Sequence, residues 1–169
     1  MTDYTYIIDY IPTTDSRATE KQVKERNAVL DFLDGDLSQN LKKSILEKVK
    51  ALALESENVC VIGFIPSWTA EKTMDRYGKL ASFLSANLDI EVFPDVLTLK
   101  QDSDPILLHK EYVCNISRVK GKDVILIGGV TNTGKTFEKV SELLEQNGAS
   151  AVYGLFVAKV HTNTTSKRK

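Results

Sequence analysis

The stretch VILIGGVTNTGKT, residues 124–136, carries the pattern that decides the fold. The run Asp123-Val124-Ile125-Leu126-Ile127, with four successive apolar residues, reads as a strand buried on both faces, as strands of parallel sheets are. It ends in Gly128-Gly129, and the polar turn Thr131-Asn132-Thr133-Gly134 leads directly into a helix. That helix, Thr136–Asn147, places Phe137, Val140, Leu143 and Leu144 on one face and is closed by Gly148. N–H groups at a helix start have no intrahelical partner, and the helix dipole adds positive potential there. With the hydroxyls of Thr131, Thr133 and Thr136, the turn forms an anion cradle best suited to phosphate. The plainer reading of the same residues is a glycine-rich strand-to-helix turn capped by Thr133.

Outward from this point the chain alternates strands and helices. Tyr4–Tyr10 is rich in Tyr and Ile and reads as a strand stopped by Pro12. Thr19–Glu25 reads as a short helix, and Ala28–Leu33 as a strand before the turn Asp34-Gly35-Asp36. Ser38–Glu55 has Leu41, Ile45, Leu46, Val49 and Leu52 at helical spacing. Asn58–Ile65 is a second buried strand. Ala70–Asn87 is an amphipathic helix with Met74, Tyr77, Leu80, Ala81 and Leu84 on one stripe. Ile90–Leu99 reads as a strand interrupted by Pro94, Ile106–Asn115 as a helix, and Ser150–Val160 as the last strand. Such alternation implies an α/β fold, a parallel central sheet flanked by helices with right-handed crossovers. Ligands of these sheets sit at the carboxyl ends of the strands. The loops Pro66–Lys72 and Gly128–Thr136 are therefore the ones to inspect.

Composition narrows the classes of function. Lys and Arg number 22 against 23 Asp and Glu, a formal net charge of −1 over 169 residues. This length suits one domain, residues 1–160, followed by a disordered basic tail, 161–169. The balanced charge argues against nucleic acid or a membrane surface as partner, since both need a positive field. Two cysteines, Cys60 and Cys114, are too few for a disulfide framework or a four-ligand zinc site. No apolar run approaches the ~20 residues that span a bilayer. The acidic N-terminus MTDYTYIIDY does not look like a signal peptide, so a cytoplasmic protein is expected.

Residues 129–136 also satisfy G-x-x-x-x-G-K-[ST], the nucleotide-triphosphate loop in which Lys135 would reach the outer phosphates and Thr136 would bind Mg²⁺. Such proteins also need an apolar strand ending in Asp to hold the metal. The one strand left after Thr136, AVYGLFVAKV, contains no carboxylate.

Four apolar residues, two special positions and V-x-T-T-G-x-T-like spacing resemble the ribose-phosphate loop of type I phosphoribosyltransferases. The neighbouring segments resemble the ComF-type (competence protein F-like) branch of that superfamily: AVLDFLDGD at 28–36, VIGFIPSW at 61–68, EKTMDRYGKLASFLSANLDIEVFPDVL at 71–97, and LLEQNGASAVYGLFVAK at 143–159. The resemblance spans roughly residues 28–160. It implies that Thr131, Asn132, Thr133, Gly134, Lys135 and Thr136 bind the 5-phosphate of phosphoribosyl pyrophosphate (PRPP). It places a pyrophosphate site at Ser67, Trp68, Lys72 and Arg76, with Mg²⁺ arriving on a bound diphosphate and no protein-held metal. The segment around Asp102–Asn115 would correspond to the flexible region that closes over substrate, with His109 and Lys110 near the diphosphate. The N-terminal YTYIIDYIP would form a small hood, or an edge strand used in a homodimer. The partner is then a small-molecule sugar phosphate or nucleotide.

The chain departs from the family at Gly128 and Gly129, which stand where active members usually carry two acids that bind the ribose hydroxyls. Losing two charge-assisted hydrogen bonds costs roughly 3–6 kcal/mol, about 10²–10⁴-fold. The expected protein therefore keeps the phosphate cradle with catalysis weakened or lost. The alternatives are a non-catalytic phosphoribosyl or nucleotide sensor, and a P-loop nucleoside triphosphatase. Asp102, Asp104 and Glu111 are further acids that could substitute for the missing pair.

Overall fold

The computed structural model describes residues 4–12, 17–100 and 110–161. Asp102, Asp104, residues 106–109 of the predicted 106–115 helix, His109 included, and all of the tail except His161 lie outside the described residues. Five strands form one parallel sheet: β1 (Tyr4–Tyr10), β2 (Cys60–Phe64), β3 (Glu91–Val92), β6 (Asp123–Thr131) and β7 (Ala151–Val160), in the order β1-β7-β6-β2-β3. A separate antiparallel pair, β4 (Leu97–Leu99) with β5 (Tyr112–Cys114), stands beside it.

Each central strand feeds two cores, because alternate side chains point to opposite faces. On one face Ile62, Phe64, Ile125 and Ile127 pack against α1 (Glu20–Leu33), α2 (Gln39–Glu55) and α3 (Ala70–Asn87). On the other, Val61, Ile65, Val124 and Leu126 meet Phe137, Val140 and Leu144 of α5 (Lys135–Gln146), Val119 of the short α4 (Ile116–Val119), and the β4–β5 pair. This double burial explains the continuous apolar runs at 61–65 and 124–127.

Helix α3 matches its expected span. Thr69 caps it by accepting the Lys72 N–H at 3.0 Å, and the chain leaves the helix at Leu88. Its buried stripe is Thr73, Tyr77, Leu80 and Leu84; Met74, expected among them, is 52% exposed.

Four expectations need correction. Residues 28–33 are helical, the second half of α1, and not an opening strand. The helix begins with a capping box, in which Thr19 Oγ1 accepts the Gln22 N–H and the Gln22 side chain accepts the Thr19 N–H. Residues 90–99 are not one strand, because β3 ends before Pro94 and β4 joins the other sheet. Tyr112–Cys114, expected to be helical, is a strand because Leu97–Leu99 offers it a backbone edge. Finally, Tyr4–Tyr10 is no hood: it runs parallel to β7 as an edge of the central sheet, Tyr4 opposite Gly154 and Tyr10 opposite Val160.

Among the described residues, no helix is long and apolar enough to cross a membrane. From β6 the chain crosses to β7 on one side, and from β2 to β3 on the other. The carboxyl ends of β2 and β6 are therefore a topological switch point, where the loops diverge and leave a crevice.

Candidate functional site

That crevice is a cleft of about 240 Å³. Its floor is Gly128 and Gly129 of β6, one wall is the 131–136 turn, and the other holds Arg76 and Tyr77 of α3 with Lys110 and Tyr112. The turn is shorter than the sequence suggested. Strand β6 continues through Thr131, which lies opposite Lys159, so only Asn132, Thr133 and Gly134 connect it to α5. Gly134, not Thr133, is the cap residue and sits in the left-handed region at φ +82°. A Cβ there would lie 2.7 Å from the Tyr4 ring, so glycine is required both by backbone and by space.

This geometry leaves donors open. Among the described residues, the N–H groups of Asn132, Thr133 and Gly134 have no backbone acceptor. The Thr133 hydroxyl only weakly receives the Lys135 N–H, at 3.4 Å. Thr131 is buried as the last strand residue, whereas Asn132, Thr133, Lys135 and Thr136 are exposed around the turn. All six expected cradle residues line the cleft.

The four residues expected to bind pyrophosphate lie together along one hollow that adjoins the cleft, and Arg76 lines both. Arg76 faces the cleft floor: its Nη1 lies 3.8 Å from where a Cβ on Gly129 would be. Ser67 is buried, and its N–H is committed to Thr73 Oγ1 at 2.9 Å. Ser67, Trp68 and Lys72 line that adjoining hollow with Leu33, Asp34, Asp75 and Arg76, and not the cleft itself. Trp68 is linked to the cleft through Lys110, whose Nζ lies 4.6 Å from its ring centroid.

The cleft is cationic. Among the described residues its lining holds Arg76, Lys110 and Lys135 and no Asp or Glu. None of the three makes an ion pair among the described residues, where such pairs are Lys79–Asp36, Lys100–Glu111 and Arg118–Asp95. Glu111, one of the acids considered as a replacement, is held by Lys100 at 3.2 Å and lines a different hollow. Arg76 Nε is buried without a hydrogen-bond partner. Burial, and then the Arg76 charge, push the Lys110 ammonium below its usual range. Lys110 itself is steadied by Lys139, whose Nζ donates to the Lys110 carbonyl at 2.9 Å.

Tyr77 and Tyr112 complete the wall, and sequence reasoning missed both as site residues. Tyr77 was legible only as part of a helix stripe. Its hydroxyl donates to the Ile65 carbonyl at 2.8 Å and so fixes the end of β2. Burial pushes its pKa up to about 12, against the lowering pull of Arg76 and of a backbone hydrogen bond at Gly129. The folded state thus holds this proton more tightly than the unfolded chain. Its contribution to stability is fully present below pH 10 and is lost as pH rises through about 12. Tyr77→Phe should lose about 1 kcal/mol at neutral pH, from the unpaired Ile65 carbonyl, and fall less steeply above pH 10. Urea unfolding at neutral and alkaline pH checks both; an unchanged alkaline slope would contradict the assignment.

No family model matches the chain. Over 100 residues, 54% of this chain, it is 34% identical to a putative ribose-phosphate pyrophosphokinase 2 of Streptococcus pneumoniae serotype 4. Over 109 residues, 64% of this chain, it is 42% identical to a protein of the same name from Streptococcus agalactiae serotype V. The chain spans only 28% and 29% of those two relatives' own lengths. Among solved structures it is similar to a purine phosphoribosyltransferase from Pyrococcus horikoshii, with a TM-score of 0.43 and 15% identity over 77% of this chain and 89% of that one.

Proposed function

We propose that the chain is a phosphoribosyltransferase-like protein that binds PRPP or a related sugar phosphate in this cleft, with transfer chemistry weakened or lost. One observation carries the reading: a switch-point turn with three open backbone amides lines the same cleft as Arg76 and Lys110, with no acid in that lining among the described residues. Open amides and unpaired cations in one crevice suit a phosphoryl group. The names of the streptococcal relatives, which contain ribose phosphate and pyrophosphate, agree with that ligand class. Segment order from VIGFIPSW onward supports the ComF-type branch; residues 28–36, helical up to Leu33, do not.

An active enzyme of this kind displaces pyrophosphate from the sugar with a nitrogen nucleophile. The acids that would steady the ribose hydroxyls and the charge on the ring are glycines here. A binding protein that senses a phosphoribosyl compound is therefore the form of the reading that the cleft favours. Calorimetry with ribose 5-phosphate should show binding, and assays with common bases should show little or no pyrophosphate release. Robust turnover would mean that acids outside the described residues do the work, and the reading of a lost activity would be wrong.

The triphosphatase alternative fits less well. Its loop would start at Gly129, but Val130 and Thr131 are still paired with Ala158 and Lys159. Lys135 is exposed at the start of α5. Lys135→Ala should change sugar-phosphate affinity by no more than about threefold, the scale of an exposed charge. Mg-ATP binding abolished by that one change would reverse this ranking.

Mg²⁺, expected with a bound diphosphate, finds a poor donor set. Magnesium sites on proteins use one or two carboxylates beside substrate phosphates, and among the described residues the cleft lining offers none.

A further inference from the structure

We propose that the cleft takes a sugar phosphorylated at two positions and takes it free of Mg²⁺, with Arg76 and Lys110 carrying the charge that a metal would otherwise supply. The inference rests on the reading of the cleft as a sugar-phosphate site and names its ligand more closely. One phosphoryl group suits the open amides of Asn132, Thr133 and Gly134. That cradle leaves Arg76 and Lys110, on the opposite wall, without an anion.

Arg76 stands beside Gly129 on the cleft floor, the side on which an acid at position 129 would project. A guanidinium there cannot accept a hydrogen bond from a sugar hydroxyl; it has only donors. It recognises an anion, and its planar fork suits a phosphoryl group in particular. Glycine at 129 leaves this approach open, since the other atom near a Cβ would be the terminal methyl Leu33 Cδ2, at 2.9 Å. Lys110 adds a second cation, half-buried, its ammonium pushed below its usual range by burial and then by the Arg76 charge. An anion between the two relieves that repulsion, whereas a divalent cation adds to it. A metal-free ligand phosphorylated at two positions is therefore matched to the cleft, and its Mg²⁺ complex is less negative and less well matched.

The test is calorimetric titration of the whole chain with ribose 5-phosphate, ribose 1,5-bisphosphate and PRPP, each in EDTA and in excess Mg²⁺. In EDTA the two doubly phosphorylated sugars should bind at least about tenfold tighter than ribose 5-phosphate, the scale of one charge-assisted contact. Mg²⁺ should weaken them and leave ribose 5-phosphate unchanged. Arg76→Gln should erase their advantage while ribose 5-phosphate stays within about twofold. Lys110→Gln, which leaves α3 intact, should reduce the advantage as well, so that a folding defect in one variant does not decide the result. Tighter binding only in Mg²⁺, or an advantage that survives both variants, would overturn the proposal while leaving the sugar-phosphate reading in place. Failure of ribose 5-phosphate itself to bind would remove that reading and this proposal together.

Discussion

Gly134→Val is expected to abolish measurable phosphate binding and to destabilise the fold. The backbone at Gly134 has φ +82°, where a β-branched residue is strained by roughly 1–3 kcal/mol. Its Cβ would also stand 2.7 Å from the Tyr4 ring, so β1 or α5 must shift. The new side chain points at Tyr4, so its effect on the ligand comes through the displaced amides and not through a blocked entrance. Loss of even one charge-assisted amide contact costs about 1.5–3 kcal/mol, or roughly tenfold to a hundredfold in affinity. Tyr4→Ala in the same chain should relieve the clash but not the backbone strain. Stability should then recover in part, with binding still impaired. Full recovery of both would show that space alone, and not backbone conformation, sets the requirement for glycine.

The two floor glycines should respond to aspartate in opposite ways. Neither has a positive φ, so the backbone admits a side chain at both. At Gly128, however, a Cβ would meet the Phe156 ring at 2.5 and 2.8 Å and Ile65 Cδ1 at 3.1 Å. These belong to the α5-side core, among residues that are almost wholly buried. Gly128→Asp combines overpacking, about 1–3 kcal/mol, with a carboxylate forced into an apolar site. The expected loss is on the order of 3–5 kcal/mol, a large part of the stability of a single domain. At Gly129 the obstacle is the movable end of Leu33, and Arg76 Nη1 is 3.8 Å away. Gly129→Asp should stay within about 1 kcal/mol of the natural protein and weaken anion binding, because the new carboxylate neutralises Arg76. Urea midpoints for the two single variants decide this. Equal stability would mean that Phe156 yields more readily than its packing against Tyr4 and Phe137 suggests. A paired restoration of both acids is blocked at Gly128 for the same reason.

The parts of the fold that the sequence made legible are those with strong periodicity or double burial. The runs at 61–65 and 123–127 announced β2 and β6, and Thr69 with its following stripe announced α3. What stayed hidden depends on partners distant in the chain. Tyr112–Cys114 is a strand because Leu97–Leu99 lies alongside, which no local pattern reports. Helix α1 was misread because only Val29 and Phe32 of its residues are fully buried, too few to mark a stripe. The apolar cluster Ala28-Val29-Leu30 looked instead like β-sheet. The capping box at Thr19 and Gln22 was the available signal. At the site, the turn 131–136 and Arg76 were both legible as candidates. That Arg76 lies beside Gly129 was not, since it follows from how α3 packs on the sheet.

Amide chemical shifts of the whole chain, followed by nuclear magnetic resonance during titration with ribose 5-phosphate, test the account most directly. Shifts that saturate and concentrate at Asn132, Thr133, Gly134 and Lys135, with a smaller response at Arg76, are the predicted result. Saturating shifts elsewhere, with these amides unmoved, would contradict the assignment of the cleft as the phosphate site.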